Sequence, residues 1–155
     1  MSKVNYIPEG YHTITPYLVI KGAAKAIEYY KSVFGAKVVV RMDGPNGTIG
    51  HAELQIGDSR FMLADENPQM GYRSAESIGN SPVSLYVYLP DCDKVVEKAV
   101  ANGAKILKPV ADQFYGDRSG FLQDPFGHFW GIATHVEDVS ETEMKERMKK
   151  MMPAA

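Results

Sequence analysis

The chain has 155 residues, 45 % apolar and 23 % charged, an ordinary globular composition that excludes an intrinsically disordered polymer. A formal net charge of −2 leaves no electrostatic footprint for nucleic acid. No apolar run reaches the ~18 residues of a membrane span, so neither nucleic acid nor membrane is an expected partner. Cys92 is the one cysteine, which excludes an internal disulfide and a cysteine zinc site. The polar segment Met1 to Tyr11 lacks the apolar stretch of a secretory signal, so a cytoplasmic location is expected.

In chain order, Thr15 to Ile20 reads as a first strand, with Pro16 suited to an early or edge position. A helix follows, because Ala23, Ala26, Ile27, Tyr30, Val33 and Phe34 recur at helical spacing, and Gly35 supplies its stop. Three further strands are predicted at Lys37–Met42, Ile49–Ile56 and Arg60–Asp65, separated by turns rich in Gly, Pro, Asn and Asp. A polar, Gly/Ser/Asn-rich linker comes next. Tyr17, Lys25 and Glu28 then recur at a constant offset as Tyr86, Lys94 and Glu97, and Gly35-Ala36-Lys37 recurs as Gly103-Ala104-Lys105.

The second half therefore repeats the order of the first. It has a strand around Tyr86 and a helix capped by Asp91, with Cys92, Val95, Val96 and Ala99 as its stripe and Gly103 as its stop. Strands are predicted at Lys105–Val110, Gly120–Gln123 and His128–Thr134, the last two joined by Asp124-Pro125-Phe126-Gly127. A final helix opens at Glu141, with Ser140 and Glu143 as a capping box and Val139 with Met144 as a staple. Met144, Met148, Met151 and Met152 are expected to dock it on the body of the protein or on a partner subunit. The fold class is α+β, one domain over 1–155. It comprises module one at about 12–66, a linker at 67–81, module two at about 82–135 and a C-terminal helix at about 140–151, each module reading β-α-β-β-β.

Thr15-Pro-Tyr-Leu-Val-Ile, Ile27-Glu-Tyr-Tyr-Lys-Ser-Val-Phe-Gly-Ala, Gly50-His-Ala-Glu-Leu and Asp124-Pro-Phe-Gly-His-Phe-Trp resemble the vicinal oxygen chelate superfamily. That superfamily includes glyoxalase I, bleomycin resistance proteins and extradiol dioxygenases, and the motifs look most like its PhnB-like branch. The resemblance covers about residues 12–139. It implies a U-shaped mixed sheet around a cavity, helices outside and a homodimer. It also implies metal-ligand positions, which fall at Thr15, Ser84 and Gly131, with a fourth near Met62 or Leu63. Hydroxyls bind divalent metals weakly and glycine has no donor, so no metal cofactor is expected there. A metal at a shifted site using His51 and Glu53 is the alternative.

Strand alternation places Tyr17, Val19, Tyr86 and Tyr88 on the cavity face with Thr15 and Ser84. Leu18, Ile20 and Trp130 then face the helices. His51 and Glu53 share one strand face, as a base with its orienter or as a cross-strand hydrogen-bonded pair. Tyr115 and Arg118 precede the seventh strand, where Arg118 is either a clamp for an acidic ligand or a surface ion pair. The expected function is binding of a small anionic or aromatic molecule without the usual metal, with ligand contacts from Thr15, Tyr17, Ser84, Tyr86, Tyr115 and Arg118. The alternative is a lyase, isomerase or dioxygenase-like enzyme using His51 and Glu53 as catalytic residues.

Overall fold

A computed structural model describes residues 4–151. Met152, grouped above with the other C-terminal methionines, lies outside the described residues, as does the start of the polar N-terminal segment. The chain forms two compact units, divided between Ser81 and Pro82.

The first unit contains β1 (Tyr17–Ile20), α1 (Ala23–Phe34), β2 (Lys37–Asp43), β3 (Ile49–Ile56) and β4 (Ser59–Asp65). The strands form a mixed sheet of order β1-β4-β3-β2, with β1 parallel to β4 and the other pairs antiparallel. Leu18, Ile20, Ala52, Leu54, Phe61 and Leu63 point to one face, where they are buried beneath the Ala23, Ala26, Ile27, Tyr30, Val33 and Phe34 stripe. The opposite face therefore carries Tyr17, Val19, His51, Glu53, Met62 and Ala64. Gly35 ends α1 at φ 66°, as its position predicts.

The start of α1 has no local side-chain cap. Asp65 at the end of β4 supplies one, accepting from the amides of Gly22 (2.9 Å) and Ala23 (3.0 Å) with one oxygen and from Ile49 N–H (2.7 Å) with the other. The linker also has structure of its own. Asn67 and Tyr72 pair across a tight turn, and Ser74 caps a one-turn helix, α2 (Ala75–Ile78). Glu66 anchors this segment by accepting from Ser74 N–H, Ser74 Oγ and Ser77 Oγ. These bonds hold its carboxyl below the ordinary range, the Ser74 amide contributing most.

The second unit contains β5 (Ser84–Tyr88), α3 (Cys92–Ala101), β6 (Lys105–Asp112), β7 (Asp117–Gln123), β8 (Phe129–His135) and α4 (Glu141–Met151). Its sheet repeats the first, in order β5-β8-β7-β6 with β5 parallel to β8. Asp91 caps α3 through Lys94 N–H, and Thr134 takes the place of Asp65, accepting from Cys92 N–H at 2.9 Å. Buried Asp124 organises the turn before β8. It accepts from Phe126 N–H and His128 N–H with one oxygen and from the Trp130 indole with the other, each at 2.9 Å.

Ser140 caps α4 as its capping box predicts, accepting from Glu143 N–H. Methionine docking on the body of the chain is not what holds this helix, since none of its described residues is buried and Met148 and Met151 are exposed. Arg147 anchors it instead, with two hydrogen bonds to Glu137, one to Glu143 and one to the Phe114 carbonyl.

Candidate functional site

In the first unit, the face opposite α1 carries a continuous chain of hydrogen bonds. Tyr11 donates to Glu53 Oε2, Glu53 Oε1 meets His51 Nε2 at 3.2 Å, and His51 Nδ1 meets the Tyr17 hydroxyl at 3.0 Å. His51 and Glu53 are neighbours because β3 puts alternate residues on one face, and β1 brings Tyr17 level with Met62 on the same side. Tyr11 arrives from the segment before β1. It is held there by Arg60, whose guanidinium lies 4.9 Å from the Tyr11 ring centre and also binds the Glu9 carbonyl.

The Tyr11 hydrogen bond is the largest influence on Glu53. With help from His51 it holds the carboxyl below the ordinary range, against burial that acts the other way. The Tyr11 phenol is raised by burial and by the Glu53 charge, and the Tyr17 phenol chiefly by burial. Glu53 is therefore an ionised acceptor between two donors.

A cleft of about 660 Å³ opens on this face beside Tyr17. Its apolar walls are Val19, Pro45, Met70 and the Tyr72 ring. Asp65 and Glu66 border it, and no Lys, Arg or His is among its described lining residues. The β2–β3 turn supplies one rim and the Asn67–Tyr72 turn the other. The size falls in the usual range for small-molecule sites, roughly 300–1,000 Å³.

In the second unit, Tyr86, Tyr88 and Phe121 cluster on the face opposite α3, with ring centres 5.3 Å and 5.9 Å from Tyr86. Tyr86 lies level with Gly131, and a side chain at Gly131 would meet the Tyr86 ring at 2.3 Å, so the glycine is what lets the ring lie across β8. Burial first, then Tyr115, pushes the Tyr86 phenol up to about 12, with Ser119 acting in opposition. Tyr88 donates to Asp117 at 2.9 Å, and Asp117, only 4 % exposed, also binds His135 Nδ1 at 2.8 Å.

Of the residues expected to contact ligand, Tyr17, His51 and Glu53 come together in the first unit, and Tyr86 with Tyr115 in the second. Thr15 lies just before β1, its hydroxyl 3.5 Å from the His12 carbonyl. Ser84 starts β5 level with Phe129, whereas Gly131 is level with Tyr86, so Ser84 and Gly131 do not stand opposite one another.

Arg118 is placed elsewhere. β7 already begins at Asp117, so alternation puts Arg118 on the α3 side with Leu122. There it forks onto Asp93 at 2.7 Å and 2.8 Å and reaches Asp112 at 3.0 Å. Three of its donors engage α3 and β6 on the face opposite Tyr86, the geometry of the ion-pair alternative. Tyr11 and Tyr72 were not anticipated. Both lie in irregular segments where no periodicity marks a contact.

These two β-α-β-β-β units define a protein of the paired-module class that the motifs resemble. The model of the Glyoxalase/Bleomycin resistance protein/Dioxygenase superfamily matches residues 11–132, and the chain belongs to that superfamily. An uncharacterized protein of Mycobacterium bovis is 37 % identical over 138 residues, covering 87 % of this chain and 91 % of its own. Among solved structures, an Arabidopsis thaliana gene product is 27 % identical with a TM-score of 0.66, covering 79 % of this chain and 98 % of that one. A PhnB protein from Bacillus cereus is 25 % identical with a TM-score of 0.64, covering 79 % and 99 %.

Many members of this fold class hold a divalent metal. The positions that the resemblance implies carry Thr15, Ser84, Gly131 and Met62 or Leu63, a donor set without a carboxylate, imidazole or thiolate. Among the described residues no three His, Cys, Asp or Glu side chains converge on a point that could hold one. His51 and Glu53 are engaged with each other and with the two tyrosines. The described residues at these positions do not fit a metal centre.

Proposed function

We propose that this protein binds a small, flat, aromatic or amphipathic molecule in the first-unit cleft and does so without a resident divalent metal. The observation that carries this reading is the cleft itself, about 660 Å³ with tyrosine, proline, valine and methionine walls. An aromatic guest against Tyr17 or Tyr72 gains area burial and, for each good ring pair, roughly 0.5–1.5 kcal/mol beyond it. The anionic half of the sequence expectation rested on Arg118, whose guanidinium is occupied by Asp93 and Asp112, so the aromatic half is the one retained. The protein is further proposed to act in the cytoplasm and as a homodimer. β2 and β6 are edge strands carrying exposed Val39, Met42, Ile106 and Leu107, which a second copy would cover.

Native mass spectrometry of the purified protein reads assembly, metal and bound molecule together. Dimer mass, absence of bound metal and a retained small molecule lost in Tyr17→Ala and Tyr72→Ala are expected. A metal-loaded monomer whose retained molecule survives both substitutions would sink the proposal.

One observation favours a second reading, an isomerase or lyase working by acid–base chemistry. His51 stands between a hydroxyl and an ionised carboxylate, the arrangement of a general base and its orienter. Its test is solvent-deuterium incorporation into vicinal hydroxycarbonyl compounds, which would have to vanish in both His51→Ala and Glu53→Gln.

A further inference from the structure

The hydrogen-bond chain in the first unit has a fixed direction, and that direction sets what the cleft can recognise. An ionised carboxylate only accepts, so Glu53 requires a proton on the Tyr11 oxygen and a proton on His51 Nε2. With one proton on the ring, His51 Nδ1 is then bare and accepts from the Tyr17 hydroxyl. Tyr17 has thereby used its only hydrogen on His51, and its oxygen has lone pairs alone to offer a guest. Tyr17 is also the one member of this chain that lines the cleft.

The acidic residues of the wall point the same way. Asp65 and Glu66 border the cleft, and no basic side chain is among its described lining residues to attract an anion. Asp65 is fixed by three backbone amides, and Glu66 by Ser74 and Ser77, so neither turns away from the cleft; Lys21, whose charge acts on Glu66, is not among the described lining residues.

Resting on the cleft reading above, we propose that this cleft selects uncharged aromatic molecules bearing a hydroxyl donor, of the phenol type. The donor is accepted by Tyr17, whose polarity is imposed by the Tyr11–Glu53–His51 chain, and the cleft rejects the corresponding carboxylates. Tyr17 is the specificity-determining contact. Tyr11, Glu53 and His51 are positioning residues that act through it.

The test uses three naphthalenes of one shape: 2-naphthol, its methyl ether 2-methoxynaphthalene, and 2-naphthoate, titrated into the full-length protein with tyrosine fluorescence and ligand-observed NMR as readouts. 2-Naphthol is expected to bind roughly five- to tenfold tighter than the ether, the value of one neutral hydrogen bond, with the naphthoate weakest. Tyr17→Phe should bring naphthol down to the ether. Glu53→Gln should do much the same without touching the cleft wall, because an amide can donate to His51 Nε2 and release the Tyr17 hydroxyl from its fixed role. Nitrogen NMR of the His51 ring provides an independent check, with the proton expected on Nε2 in the wild type and redistributed in Glu53→Gln.

Equal binding of naphthol and ether, or tighter binding of the naphthoate, would overturn the selectivity while leaving the cleft as a binding site. Failure of all three to bind would overturn the cleft reading with it. A wild-type ring carrying a proton on Nδ1, with or without one on Nε2, would overturn the direction of the chain.

Discussion

Gly131→Ala is a substitution whose sign depends on a single contact. Gly131 is not among the positive-φ glycines, so alanine can adopt its backbone without strain. In a strand interior alanine is ordinarily worth about 0.5–1 kcal/mol over glycine, because it loses less backbone freedom on folding. The structure reverses that expectation. The new Cβ would stand 2.3 Å and 2.6 Å from two Tyr86 ring carbons and 3.0 Å from the Phe121 ring. The near atoms belong to the body of the ring, so Tyr86 must leave its position across β8. Overpacking of this kind costs typically 1–3 kcal/mol. In a domain of this size each kcal/mol moves the melting temperature by about 2–4 °C, so a drop of roughly 2–12 °C is expected. Calorimetry on Gly131→Ala, Tyr86→Ala and the double variant is the assay. In the double variant the clash is gone, and the two changes should couple by about 0.5–3 kcal/mol. A Gly131→Ala protein as stable as the wild type, or strict additivity, would refute the packing argument.

Asp124→Ala removes the acceptor for two amides and the Trp130 indole, and each buried donor left unpaired costs about 1–3 kcal/mol, so urea denaturation should register a loss of at least ~2 kcal/mol. Arg118→Ala should lower the denaturation midpoint and leave affinity for the naphthol probe unchanged; the reverse pattern would return Arg118 to the ligand site. Asp117 first, then Asp138, raises the His135 imidazole above its ordinary value near ~6.5. A raised folded-state value means the contribution is complete below the unfolded pKa and is lost as pH climbs through the folded one. Urea midpoints should therefore decline from mildly acidic to alkaline pH by more in the wild type than in His135→Gln, and parallel profiles would contradict this. Ser74→Ala, which removes the cap of the linker turn, should cost about 1 kcal/mol and speed amide exchange between Asn67 and Gly79; unchanged exchange would count against it.

Elements written in local patterns were legible in the sequence. The α1 stripe, Gly35 as its stop, the Asp91 cap and the repeat that predicts two sheets of the same strand order all follow from spacing and residue type. Contacts that close long loops were not legible. Asp65 caps α1 from the far end of the module, and Tyr11 reaches Glu53 across the whole of β1, α1 and β2. Neither leaves a periodic trace. Arg118 is an intermediate case. A strand that begins at Gly120 leaves Arg118 in a loop, free to point either way, whereas in the strand that begins at Asp117 parity with buried Leu122 assigns Arg118 to the helix side. The Tyr17–His51–Glu53 grouping needed only the alternation of two strands, but the cleft beside it needed Tyr72, carried by a turn inside what reads as a featureless linker.

The claim that the first-unit cleft is the small-molecule site is tested most directly by a two-dimensional amide NMR titration of the full-length protein with 2-naphthol. The account predicts saturable shifts concentrated at Tyr17, Val19, Gly50 and Tyr72 that are lost in the Tyr72→Ala variant. Saturable shifts centred instead on Tyr86, Tyr88 and Tyr115, with the cleft residues unmoved, would contradict it.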